Sequence, residues 1–157
     1  LPEDVCLVPE RREEKTTEGG LDLIKNFKNI KNISDELSVA GVRVSLFIAP
    51  EINQIDKAIE MKVPIIELHT GNYADFKGKD KDKELSKIKE SVRYAKKAGI
   101  LVNAGHGLHY ENVQSIAQII DIHELNIGHA IVARALFVGW ENAVIEMKKI
   151  IDECTKS

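Results

Sequence analysis

The sequence predicts an α/β fold built on a parallel sheet. Short β-branched runs that are apolar at nearly every position alternate strictly with amphipathic stretches. Strands of a parallel sheet are covered on both faces and lose the in-out alternation of a half-exposed strand, whereas the crossover helices keep one apolar stripe. The special residues also cluster at one end. Polar and glycine-rich segments follow the strands, and the connections leading into the strands are short.

The strands are expected at "DVCLVP" (4–9), "VRVSLFIA" (42–49), "PIIELH" (64–69), "ILVNAG" (100–105) and "ELNIGHAIV" (124–132). Helical spacing joins Leu23, Phe27, Ile30 and Leu37 in the first intervening stretch, and Ile52, Ile55 and Ile59 in the second. It then joins Leu85, Ile88, Val92 and Ala95, next Val113, Ile116 and Ile120, and last Val144, Met147 and Ile151. The "AG" pairs at 40–41 and 98–99 read as tight helix-to-strand turns, in which glycine accepts a positive φ. "KGKDKDKE" (77–84) reads as a solvated loop and helix start, with a mobile flap as its functional alternative. Two architectures fit this order. An open doubly wound sheet places its ligand at a topological switch point, and a (β/α)8 barrel places it across the C-terminal ends of the strands. Five units cannot close an eight-stranded barrel, so the barrel reading expects roughly three further units upstream.

At 157 residues the chain suits a single domain, 1–157, with a sizeable core. Its 22 basic and 25 acidic side chains nearly balance, which argues against a general polyanion-binding surface. An aromatic fraction of 5% argues against a base-stacking one. A nucleic-acid partner is therefore not expected. No apolar run of about 18 residues occurs and the first residues lack the pattern of a signal peptide, so neither is a membrane. The two cysteines, Cys6 and Cys154, have no metal-type spacing and fit free thiols in a reducing cytoplasm. The chain opens almost at once on a strand without a methionine, from which missing upstream sequence is expected.

Three segments carry chemistry. Gly105-His106-Gly107 follows the fourth strand, where glycine lets backbone N–H groups approach an anion and histidine can move a proton near neutrality. Gly128-His129 falls at the equivalent place one unit later, and the last two units of a barrel are where phosphate cups are commonly built. Glu67 lies within an apolar strand, and period-two geometry sends it and His69 to one face. A buried carboxylate costs several kcal/mol unless paired or hydrogen-bonded, which leaves a structural network or an acid-base and cation-stabilising role. Thr16, Thr17, Glu18, Gly19 and Gly20, with Arg11 and Arg12, suit a phosphorylated ligand, or form a loop entering a helix with Thr or Asp as its cap. His109, His123 and Tyr73 join no constellation and read as helix or loop residues. His69, His106 and His129 lack the spacing of a zinc site, and neither a Walker-type loop nor a GxGxxG fingerprint occurs.

Taken together, "CLVPERREEKTTEGGLDL", "VSLFIAPE", "IIELHTGNYAD", "LVNAGHGLHYENV" and "ELNIGHAIVARALFVG" resemble the pyridoxine 5′-phosphate synthase family of bacterial vitamin B6 biosynthesis, from about Asp4 to Lys149. The resemblance implies a (β/α)8 TIM barrel, of which this chain carries about strands 4 to 8. It implies condensation of 1-deoxy-D-xylulose 5-phosphate with 3-amino-2-oxopropyl phosphate to pyridoxine 5′-phosphate, phosphate and water, through an imine between the substrates. No metal or organic cofactor is implied, and a homo-oligomer, commonly an octamer, is. By position, His106 matches the proton donor and Glu67 the carboxylate that stabilises charged intermediates. Gly107, Gly128 and His129 match the cradle of the amino-ketone phosphate, and Thr16 a contact to the deoxyxylulose phosphate. The family's N-terminal elements, which include two of its general bases, have no counterpart here. A single-substrate sugar-phosphate aldolase or epimerase, and an inactive phosphate-binding fragment, are the alternatives.

Overall fold

The computed structural model describes residues 1–9 and 19–155. Five strands, β1 (Asp4–Leu7), β2 (Arg43–Ile48), β3 (Ile65–His69), β4 (Leu101–Gly105) and β5 (Ile122–Asn126), form one parallel sheet in sequence order. Consecutive parallel neighbours require a crossover between each pair. The crossovers contain α1 (Phe27–Val39), α2 (Ile52–Met61), α3 (Gly71–Asp75) with α4 (Gly78–Lys97), and the short α5 (Gln114–Ala117). Helices α6 (His129–Val138) and α7 (Trp140–Thr155) follow β5.

The expected apolar stripes of α1, α2 and α4 pack on the sheet, whereas that of α7 stays outside their core, with Met147 buried but Val144 39% exposed. Ile30 of α1, Ile55 and Ala58 of α2, and Ile88, Val92 and Ala95 of α4 join Leu46, Ile48, Ile66, Leu68 and Val102 of the strands in one core. Burying each such aliphatic side chain contributes about 1.5–3 kcal/mol. The lysine-rich start of α4 is mostly exposed, with Lys81 over the Tyr73 ring at 4.6 Å. It is helical from Gly78 onward, so the expected loop is confined to its first residue. The turns at Gly41 and Gly99 both have φ 84°, as their sequence required.

Three expectations need correction. The fifth strand ends at Asn126 rather than Val132, and Gly128 is instead the N-cap of α6. The run "ELNIGHAIV" is apolar through both elements, so periodicity shows no boundary between them. Helix α6 has no polar stripe and no buried residue, with Leu136 and Phe137 more than four-fifths exposed. The helix expected through Val113, Ile116 and Ile120 is a single turn, and Ile120 points to solvent. Burial on both faces holds for β2, β3 and β4 but not for β1 and β5, which form the edges of the sheet.

Candidate active site

The sheet is strongly curved, and the curvature assembles the site. Strands β1 and β5 each lie two positions from β3, about 9–10 Å away along the sheet. Side chains from both nevertheless meet the Glu67 carboxylate: Asn126 Nδ2 donates to Oε2 at 2.7 Å, and the Cys6 thiol to the same oxygen at 3.6 Å. Glu67 is only 8% exposed. Burial raises its pKa and Glu124 adds to this, while the bonds from Asn126 and Cys6 pull it back down.

At the C-terminal ends of the strands, His69 lies in register with Gly105, so the next residue of the chain, His106, arrives beside it. The two imidazole rings are 4.8 Å apart, and Phe47 of β2 packs edge-on against His69 at 5.3 Å. His69 is buried and its Nε2 has no hydrogen-bond partner. Burial first, and the neighbouring His106 second, depress its pKa to about 4. It is neutral at physiological pH.

His106 has φ 80°, a left-handed conformation that costs a side-chain-bearing residue roughly 1–2 kcal/mol. Gly107 follows at φ 73°, where a Cβ would also stand 2.7 Å from Ala74 Cβ. The turn is held from behind. The buried Thr70 N–H donates to Gly105 O at 2.8 Å, and its hydroxyl has Gly105 O and His106 O within 2.7 and 2.6 Å. Asn112 Nδ2 donates to Gly107 O at 3.0 Å, and Tyr73 OH donates to the Asn112 carbonyl at 2.7 Å.

Glu67, His106, Gly107, Gly128 and His129 all line one cavity of 460 Å³, joined by His109 and Asn126. The expected common face of Glu67 and His69 is present, with His69 supporting His106 at the cavity wall. His129 opens α6, whose first backbone N–H groups have no partner within the helix and favour an anion. Thr16, with Arg11, Arg12, Thr17 and Glu18, lies outside the described residues. On either side of that segment, Val8 lines the cavity and Gly20 packs against the backbone of Ile48 and Ala49. Asp22 Oδ1 accepts from the N–H groups of Ile24 and Lys25 in the turn ahead of α1, but it does not cap that helix as expected: the N-cap is Asn26, without a side-chain capping bond.

Residues that carried no signal in the sequence complete the arrangement. Tyr73 belongs to α3 and buttresses the Gly-His-Gly turn, His109 lines the cavity, and His123 lies in β5 rather than in a helix or loop. Thr70 and Asn112 act through backbone groups, which no side-chain motif announces. Among the described residues, no group of three or more His, Cys, Asp or Glu side chains is gathered as metal ligands are.

A parallel α/β sheet thus gathers at its C-terminal edge a carboxylate and a histidine pair, groups able to exchange protons, beside glycine-bearing turns whose backbone N–H groups are able to hold an anion. Over residues 1–153 the sequence matches the family of the pyridoxal phosphate biosynthesis protein PdxJ, and the chain belongs to that family. It is also similar to a crystal structure of a D-tagatose 3-epimerase-like protein, with a TM-score of 0.47 and 16% identity. That match covers 83% of this chain, which spans 58% of the length of the matched one.

Proposed function

We propose that this chain supplies the C-terminal part, about strands four to eight, of a (β/α)8 barrel, and that the polypeptide it belongs to is a pyridoxine 5′-phosphate synthase. The observation that carries the reading is the single cavity in which Glu67, His106, Gly107, Gly128 and His129 meet, in a member of the PdxJ family. Its 460 Å³ lies within the roughly 300–1,000 Å³ typical of small-molecule sites. The curvature that brings β1 and β5 to Glu67 supports the barrel.

In this reading the backbone N–H groups at Gly107 and at Gly128-His129 hold the phosphate of 3-amino-2-oxopropyl phosphate, and Thr16 contacts 1-deoxy-D-xylulose 5-phosphate. The amine of the first adds to the carbonyl of the second, and water leaves to give an imine. His106 supplies a proton to a departing oxygen, where a positioned acid lowers the barrier. Glu67 offsets the positive charge that grows on the imine nitrogen, and does so strongly because it is shielded from water. Both substrates bring their own reactive groups, so the site needs no metal or organic cofactor. The enzyme works in the cytoplasm as a homo-oligomer, consistent with the free thiols of Cys6 and Cys154. Among the described residues no helix is long and apolar enough to cross a membrane.

Incubation of the polypeptide with each phosphorylated substrate alone and with both together tests the reading. Pyridoxine 5′-phosphate should form only with both. Turnover of one sugar phosphate by itself would identify an aldolase or epimerase, and binding without turnover an inactive phosphate-binding fragment.

A further inference from the structure

The two oxygens of Glu67 have different surroundings. Oε2 accepts both hydrogen bonds, from Asn126 on one edge strand and from Cys6 on the other. No described residue donates to Oε1, which lies over Gly105, where any Cβ would collide with it. The flanking strands add no donor: Phe47 of β2 and Asn103 of β4 stand in register with Glu67, and neither bonds to it. One oxygen is anchored and the other is left for the cavity.

We propose that Cys6 is a positioning residue for Glu67, its thiol donating to Oε2 so that, with Asn126, it fixes the plane of the carboxylate and turns Oε1 toward the substrate. This inference rests on the proposed role of Glu67 in stabilising charge. Two donors converging from opposite sides leave the carboxylate no rotation that keeps both bonds. Loss of either lets it swing, and Oε1 is then no longer held at a defined place.

The electrostatics agree with a thiol that keeps its proton. Cys6 reaches solvent on the concave face of the sheet, yet enough protein surrounds the sulfur that desolvation, and then the Glu67 charge, push its pKa up to about 12. Such a thiol is a donor at all working pH values and a poor nucleophile. Among the described residues, the charged and titratable groups that act on Glu67 or share its cavities are Asp4 and Cys6 from β1, Arg43 from β2, His123 and Glu124 from β5, His106 and His109 after β4, and His129 at the start of α6. Asn126, from β5, is its uncharged donor.

The test uses the full polypeptide with Cys154→Ser as background, so that Cys6 is the one cysteine of this chain that reports. The Glu67 carboxyl carbon is followed by 13C NMR titration in the parent, Cys6→Ala and Cys6→Ser. Cys6→Ala should move the midpoint upward by about 0.5–1 pH unit, because a donor to the charged form is lost, and Cys6→Ser, which keeps a donor, should restore it. With both substrates, Cys6→Ala should lower kcat by about threefold to tenfold with little change in KM, and Cys6→Ser should recover most of the loss. Reciprocally, the pH dependence of Cys6 alkylation by iodoacetamide should shift to lower pH in Glu67→Gln. An unmoved Glu67 midpoint in Cys6→Ala, or an unmoved alkylation profile in Glu67→Gln, overturns the proposal. If Cys6→Ala does not fold, the alkylation profile and Cys6→Ser decide it. Full activity in Glu67→Gln would sink the catalytic reading of Glu67, a result separate from a silent Cys6.

Discussion

His69 shows how a single residue couples the site to pH. In the folded chain it takes up a proton only near pH 4, whereas in the unfolded chain it does so near 6.5. Above pH 6.5 both states are neutral and the residue contributes no pH dependence. As pH falls below that value the unfolded chain binds the proton first, so stability is lost progressively toward pH 4, by up to about 3 kcal/mol. Urea denaturation across this range should show that loss, and His69→Gln should flatten it; an unchanged slope would mean that the buried ring titrates normally. The residues easiest to find from sequence were those with a local motif. Glu67 stood out in an apolar strand, and His106 and Gly128 in glycine-bearing turns. The partners of Glu67 were not legible, because Asn126 and Cys6 lie 59 and 61 positions away in sequence and meet it only through the curvature of the sheet.

Among the elements, β3 and the turn after β4 act as one unit. Thr70 at the end of β3 bonds the carbonyls of Gly105 and His106, and this holds His106 in a conformation it would otherwise leave. Thr70→Val keeps the volume but removes the hydroxyl, leaving a buried carbonyl short of a donor. We expect a loss of about 1–3 kcal/mol in stability and a fall in kcat larger than any rise in KM, read by denaturation and steady-state kinetics. Unaltered kinetics would show that the turn holds His106 without this clamp. Strands β2, β3 and β4 were legible because they are buried on both sides and carry β-branched runs. Helix α6 was not, since an apolar segment with no polar stripe carries no period to read, and Gly128 leaves no side chain to mark the change from strand to helix.

On the scale of the whole molecule, the described sheet has unpaired edges at β1 and β5, and α6 exposes Val132, Leu136 and Phe137. Open edges and contiguous apolar surface favour association. The isolated chain 1–157 should therefore show a concentration-dependent mass in sedimentation, and a strictly monomeric chain would count against the proposed barrel, whose remaining units would cover those edges. The parallel order was readable from the alternation of strands and helices. The choice between an open sheet and a barrel was not, because strand periodicity is the same in both and only side chains converging across the sheet separate them.

The central claim is that His106 delivers a proton in the cavity shared by Glu67 and the glycine-bearing turns. The most direct test is kcat of His106→Asn in the full polypeptide, assayed with both phosphorylated substrates alongside their binding by calorimetry. The expected result is a fall in kcat of about a hundredfold or more with both substrates still bound; an unchanged kcat would contradict the claim.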